Sequence, residues 1–237
     1  ELACVDPPLM GAHPRPNQGL TEAPGDVGCP DGMDAIGPTL CVDRYEGSLV
    51  SYGASGVESW SPFVNPGSRP LYAVSIEGAT PQGYISGRQA QAACERSGKR
   101  LCTDEEWLSA CRGVSNRAFP YEGSRVWGRC NDHFEGHPAI SYFGHARDEV
   151  WSQLGHPCIN QQPNSLAESG SFEGCVSPEG VYDLVGNLHE WTSNPSGVFR
   201  GGFYADTSRN GEGCAYRTTA HNFEHWDYST GFRCCAD

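Results

Sequence analysis

Twelve cysteines in 237 residues constrain what this chain can fold into more than any hydrophobic pattern in it. Zinc and iron–sulfur sites draw their thiolates from tight Cys-x-x-Cys pairs, whereas the one close pair here is the adjacent Cys234 and Cys235. An even count of dispersed cysteines reads instead as a set of disulfides, formed in an oxidising, extracytoplasmic compartment such as the periplasm, the cell surface or the secreted milieu. Such bridges brace a core rather than replace one, because a chain of this length buries roughly 70 to 75% of its unfolded surface.

The formal charge of −13, from 16 basic and 29 acidic residues, sets the chain against nucleic acid, whose phosphates are held by clustered Lys and Arg. No apolar run approaches the ~18 residues of a membrane span, and no basic-then-apolar leader opens the chain, so the expectation is a soluble, processed, secreted form with no transmembrane segment. The opening "ELAC" resembles a lipoprotein cleavage site, but Glu1 stands where an aliphatic residue belongs, which disfavours lipidation of Cys4.

Residues 1–28 are rich in Pro and Gly from position 5 onward and show no hydrophobic period, which predicts an irregular N-terminal arm, draped or mobile. Residues 29–237 form the expected folded domain. Its first apolar stretches suggest a hairpin that Cys29 and Cys41 could cross-link. Ser86 is placed to cap a helix whose Ala90, Ala93, Cys94 and Ser97 share one face before Gly98. Thr103 and Glu106 form a capping box for a second, with Trp107, Ala110 and Cys111 facing inward until Gly113. Beyond it no helical stripe of useful length appears. With 30 glycines and 17 prolines, the expected class is α+β: irregular, loop-rich and braced by disulfides.

Four ordered motifs, "GKRLCTDEEWLSACRG" (98–113), "GVYDLVGNLHEWTSN" (180–194), "FRGGFYAD" (199–206) and "STGFRCC" (229–235), resemble the formylglycine-generating enzyme, or sulfatase-modifying factor, family. The resemblance spans residues 29–237 and implies one domain with an elaborated C-type-lectin-like core. Trp107 and Trp191 suit such a core as anchors, Gly201 and Gly202 permit close backbone approach, and Arg233 can make forked hydrogen bonds. Asp183 and Glu190 flank a glycine-containing turn, an oxygen-rich setting of the kind calcium prefers. Resemblance implies a structural calcium held by Asp183 and Glu190 with backbone oxygens of Gly186 and Leu188; the alternative is that the carboxylates cap turns or meet arginines. The family's second calcium site would begin near Asn131, where the following loop diverges, and stays unassigned.

The family's enzymes oxidise a substrate cysteine with two thiols that bind copper(I), a soft ion suited to paired thiolates. Mapped here, the serine position of the pattern holds Phe203, the first thiol position Asp206, and the second Cys214. One thiol and a hard carboxylate make a poor copper(I) site, so formylglycine generation is not expected. The resemblance also implies a Cys94–Cys234 bridge, and it places the partner of Cys111 at Thr219, leaving Cys111 to find a new mate in Cys214 or Cys235. Cys214 is therefore read as structural.

The histidine pairs His133/His137 and His221/His225 are each spaced by four, and His189 sits in "LHEW". Asp206, His189 and His221 could form a facial set for iron or copper, an alternative that would make the chain a diverged metal-dependent oxidase or oxygenase; ordinary loop histidines are the favoured reading. Tyr204, His221, Phe223, His225, Trp226 and Tyr228 suggest an exposed aromatic surface for a protein, peptide or glycan ligand, weighed evenly against Phe223 and Trp226 plugging the core. The favoured function is thus a secreted, non-catalytic binding module, with a structural component of an extracellular assembly as a further alternative.

Overall fold

The computed structural model describes Cys4, residues 20–54 and residues 56–237. In chain order the elements are β1 (Met33–Ile36), β2 (Leu40–Asp43), β3 (Gly47–Gly53), β4 (Gly56–Ser59), β5 (Tyr72–Ser75), α1 (Gly87–Arg96), β6 (Arg100–Leu101), α2 (Asp104–Arg112), α3 (Pro138–Phe143), α4 (Asp148–Trp151), β7 (His189–Trp191), β8 (Phe199–Arg200), β9 (Arg217–Thr218), β10 (Thr230–Phe232) and β11 (Cys234–Ala236). They build three small sheets, ordered β1-β2-β11-β6, β10-β7-β8-β9 and β4-β3-β5. Only β7 and β10 pair in parallel; the other named pairs are antiparallel. Long connections carry the rest, so the class is the irregular α+β one that the composition predicts.

Both capping expectations hold. Thr103 accepts from the Glu106 amide while Glu106 accepts from the Thr103 amide, and Ser86 makes the same reciprocal box with Gln89, satisfying amides that a helix start leaves without intrahelical partners. The small face of α1 buries Ala90, Ala93 and Cys94. Past Gly113 the chain makes two short helices, α3 and α4, where no helical stripe was expected: Pro138 opens α3 and a left-handed Gly144 closes it. At six and four residues they are too short to show a periodic stripe.

Six disulfides close among the described residues, and no described cysteine is free. Successive residues of a strand face opposite ways, and β11 uses this directly. Cys234 reaches Cys94 on α1 and Cys235 reaches Cys102 after β6, so one dipeptide stitches two core clusters together. Cys29–Cys41 closes the hairpin region, Cys130–Cys175 a long loop, and Cys4 is joined to Cys158.

Most of the expected arm, residues 5–19, lies outside the described residues. Residues 20–28 drape over the fold and are held at Leu20 and at Glu22. Leu20 packs on the cluster of Val50, Val74, Ile76 and Ala79, and the Glu22 carboxylate accepts from the Ser75 amide at 2.8 Å and from Lys99 Nζ at 2.7 Å. Lys99, the chain's only lysine, is buried and also donates to Asp43 at 2.8 Å; Asp43 in turn accepts from the Cys234 amide. Two carboxylates offset the cost of burying one ammonium, and the network fastens this segment to β2 and β11.

Candidate functional site

Strand β7 turns one side chain to the scaffold and its neighbour to an aromatic cluster. Glu190 turns to the scaffold: Oε2 accepts from Trp107 Nε1 at 2.7 Å and Arg233 Nε at 2.9 Å, and Oε1 accepts from Arg233 at 2.8 Å. His189 turns the other way, with its ring 4.6 Å from Phe199, 4.9 Å from Phe203 and 5.4 Å from Tyr216. Its Nδ1 is buried without a hydrogen-bond partner, and burial lowers its pKa to about 4, so the ring is neutral.

The double glycine makes a tight turn beside this aromatic cluster. Gly201 and Gly202 have φ of +82° and +73°, and a Cβ on Gly202 would lie 2.4 Å from the Asp206 carbonyl. Phe203 and Asp206 exchange backbone hydrogen bonds across this turn. Asp206 then spends both carboxylate oxygens: Oδ1 accepts from the Ser208 and Arg209 amides at 3.0 Å each, and Oδ2 accepts from the Tyr216 hydroxyl at 3.1 Å. Burial, helped by Asp206, pushes the Tyr216 hydroxyl up to about 12. Cys214, at the second thiol position, is fully buried and bonded to Cys111 on α2. Of the two mates open to Cys111, the structure selects Cys214, because Cys235 is taken by Cys102.

The alternative iron or copper set of Asp206, His189 and His221 is not seen as a group in this structure. Among the described residues no three His, Cys, Asp or Glu side chains are grouped to hold a metal ion, and Asp206 is committed to its turn. His221 and His225 do meet, but face to face, with centroids 3.7 Å apart and planes 10° apart. Stacked faces aim the nitrogen lone pairs in parallel rather than at one ion. His225 Nε2 instead lies 3.0 Å from Asp227 Oδ2. His133 packs on Trp127 and Phe172, and His137 on Trp151 and Tyr228.

The predicted exposed aromatic surface needs correction. Tyr204 is wholly buried with its hydroxyl donating to Asn160 Oδ1 at 2.8 Å, Tyr228 is buried in the same cluster, and Phe223 is buried against Trp191. Irregular loops fold these rings inward, where Tyr204 and Tyr228 pack with Phe63, Tyr84, Val150 and Ile159. Trp226 remains 40% exposed, lying over Gly155, and His221 is exposed beside the half-buried His225. Sequence reasoning missed Trp151, which is 46% exposed and whose indole meets the His137 ring at 5.1 Å, four residues before the glycine under Trp226. Trp151 ends the four-residue helix α4, which is too short to show a periodic signal.

The calcium expectation also changes shape. Arg233 and Trp107 occupy both oxygens of Glu190, which follows the alternative in which a carboxylate meets an arginine. Asp183 sits in a turn with φ of +59°, followed by Gly186 at +85° and Asn187 at +52°; a Cβ on Gly186 would fall 2.1 Å from the Asn131 carbonyl. Asp183 Oδ2 accepts from the Gly170 amide at 2.7 Å. Glu46, absent from the expected set, accepts from the Leu188 amide at 3.0 Å and from Asn187 Nδ2. Three buried carboxylates thus share one buried guanidinium. Burial, reinforced by Glu190, lifts Asp183 to about 7, and burial with repulsion from Asp183 and Glu190 lifts Glu46 well above the carboxylate range. Asp183 and Glu46 offer carboxylate oxygens of the kind a hard cation takes, while both oxygens of Glu190 are engaged by Arg233 and Trp107; among the described residues no three such side chains are grouped around one ion position.

This geometry is that of a sulfatase-modifying factor scaffold. The chain belongs to the sulfatase-modifying factor enzyme 1-like domain family, whose model matches residues 55–237. It is 29% identical over 188 residues to the formylglycine-generating enzyme of Mus musculus, covering 66% of this chain and 44% of that protein. It is 28% identical over 176 residues to the inactive C-alpha-formylglycine-generating enzyme 2 of Bos taurus, covering 66% and 50%. The chain therefore spans about half the length of the curated relatives it matches. Among solved structures the fold is similar to PvdO from Pseudomonas aeruginosa (TM-score 0.51, 14% identity, 84% of this chain and 80% of that one). It is likewise similar to the P3c variant of the Major Tropism Determinant (TM-score 0.52, 13% identity, 88% and 53%).

Proposed function

We propose that this chain is a non-catalytic binding module that works in an extracytoplasmic compartment and takes a protein, peptide or glycan ligand at an aromatic rim formed by the exposed Trp226 and Trp151. The observation that carries this reading is the Cys111–Cys214 bridge. A sulfur held in a buried disulfide offers copper(I) no thiolate, and with Phe203 and Asp206 at the companion positions no thiol pair stands there. Trp226 and Trp151 supply flat apolar faces of the kind that stack on sugars or aromatic side chains, with His221, His225 and His137 beside them as hydrogen-bonding groups. Both the similarity to an inactive family member and the tropism-determinant fold are in keeping with such a role, and six disulfides are in keeping with the compartment. A structural calcium, which would supply charge neutralisation, would rest on Asp183 and Glu46 with the backbone oxygens of Gly186 and Leu188.

Two measurements on the unreduced protein test the reading. Thiol titration is expected to count no free thiol, and incubation with copper(I), oxygen and a cysteine-containing peptide is expected to yield no aldehyde. An aldehyde product that is lost in Cys214→Ser would overturn the proposal.

A further inference from the structure

On the side of α1, remote in sequence from the thiol-position motifs, lies a cleft of about 180 Å³ walled by the 66–69 loop. Its charge runs against that of the molecule: Arg69, Arg88 and Arg96 line it and no carboxylate does, on a chain with 29 acidic and 16 basic residues. Arg88 and Arg96 lie about two turns apart on one stripe of the helix, with Ala92 one turn from each, and this small side chain between them leaves the floor open. That floor is apolar, formed by Leu49, Leu71 and Ala93.

The wall is built rather than incidental. Gln89 donates to the Gly67 carbonyl at 3.1 Å and to Asn65 Oδ1 at 2.9 Å, and Asn65 Oδ1 also accepts from the Gly67 amide, which ties the loop to the helix cap. The Arg69 guanidinium is held 4.9 Å from the centre of the Trp60 ring. Arg96 donates to the Ala92 carbonyl at 3.2 Å. Arg44, Arg100, Arg125, Arg200, Arg217 and Arg233 all meet carboxylates, whereas Arg69 and Arg96 have no carboxylate partner among the described residues. Arg88 pairs outward with Glu224, both side chains being mostly exposed, so that contact competes weakly with a ligand.

We propose that this cleft binds a tetrahedral oxyanion, a sulfate or phosphate monoester, carried on a small apolar body. One guanidinium fork saturates the two oxygens of a planar carboxylate, whereas forks arriving from two walls match the three free oxygens of a tetrahedral ester. The apolar floor accepts the ester's body and the Ser68 hydroxyl adds a neutral donor. The site is separate from the aromatic rim and stands or falls independently of it.

The test is a titration of the disulfide-intact chain with inorganic phosphate, inorganic sulfate, phenyl phosphate and benzoate, followed through the amide resonances of Gly67 and Ala92. Phenyl phosphate is expected to bind about tenfold more tightly than inorganic phosphate, from the apolar area it covers, and benzoate more weakly than either ester. Arg69→Gln and Arg96→Gln, both at exposed side chains and checked for unchanged melting, are each expected to weaken phenyl phosphate by roughly tenfold or more. Glu224→Gln frees Arg88 and is expected to strengthen binding by a few-fold at most. No saturable shift with any anion up to about 10 mM, benzoate binding as tightly as phenyl phosphate, or affinities unmoved in both arginine variants would each overturn the proposal. Sulfate preferred over phosphate, or the reverse, identifies which ester the cleft takes.

Discussion

Arg233, at the centre of the β11 seam, makes four hydrogen bonds, to Glu190, Asp43 and Tyr182, while His189 and His137 among the aromatic rings each keep a buried Nδ1 with no partner. The two regions are close in sequence terms, since His189 and Glu190 are neighbours on β7, yet they treat buried polarity in opposite ways. The seam ties strand β7 of one sheet to β2 and β11 of another through polar contacts and two disulfides. The rim leaves imidazoles and indoles only partly used. Fully answered polar networks define rigid scaffold, and unanswered polar atoms concentrate where a fold keeps capacity for something else.

The comparison breaks most easily at Arg233. Replacing it with Ala leaves Glu190, Glu46 and Asp183 buried without their shared cation, and removing one member of a buried pair costs about 3–5 kcal/mol. Thermal denaturation is expected to show this as the largest loss of any change considered, or as failure to fold. Melting within a degree or two of the wild type would mean that the seam is not the keystone. Next comes the bridge: a double Cys111→Ala, Cys214→Ala variant opens a loop closed over a separation of 103 residues and is expected to cost about 2–4 kcal/mol, with the aromatic rim unaltered.

The two regions also differed in how far the sequence exposed them. Both helix starts were legible from their N-cap residues, Ser86 and Thr103, the second also from a capping box, a relation between residues three apart. The family motifs located the thiol positions, and the loss of a thiol pair followed from reading Asp206 and Phe203 in place. Glu190 was harder: its partners Trp107 and Arg233 lie 83 and 43 residues away, so only the fold decides that it meets a guanidinium. Burial of Tyr204, Phe223 and Tyr228 was illegible for a related reason. Irregular loops have no period to say which side faces water, and "NFEHWDY" buries its first aromatic and its last while exposing the tryptophan between them.

A cation in the Glu46 and Asp183 cluster would sharpen the contrast by completing the seam's charge balance. Removal of calcium by a chelator is expected to lower the melting temperature, with calcium at a hundred times its dissociation constant restoring about 2.7 kcal/mol. Asp183→Asn is expected to abolish that response; a melting temperature indifferent to calcium would remove the cation from the seam.

The rim predicts a smaller, pH-dependent effect at Asp227. Burial pushes this carboxyl upward, but hydrogen bonds from His225 and from the Ser229 hydroxyl and amide outweigh it and hold the pKa below the ordinary aspartate value. A group depressed in the folded state contributes fully above its unfolded pKa, about 4, and that contribution is lost as pH falls through the folded value. Asp227→Asn is therefore expected to lose stability less steeply than the wild type on acidification below about pH 4, and identical acid limbs would show that the pair with His225 contributes nothing.

The smallest effect expected on stability is the most informative about the rim. Trp191 and Trp226 are both tryptophans set among aromatic rings, but Trp191 is fully buried with its Nε1 donating to the Ile85 carbonyl at 2.9 Å, whereas Trp226 lies 40% exposed over Gly155. Truncating a buried tryptophan to Ala costs about 3–5 kcal/mol, and a change at the surface usually stays near 0.5 kcal/mol. If Trp226 belongs to a binding rim, Trp226→Ala melts within a few degrees of the wild type while Trp191→Ala does not. Equal losses from the two would make Trp226 one more core plug, and the aromatic rim would lose the residue on which its ligand is proposed to stack.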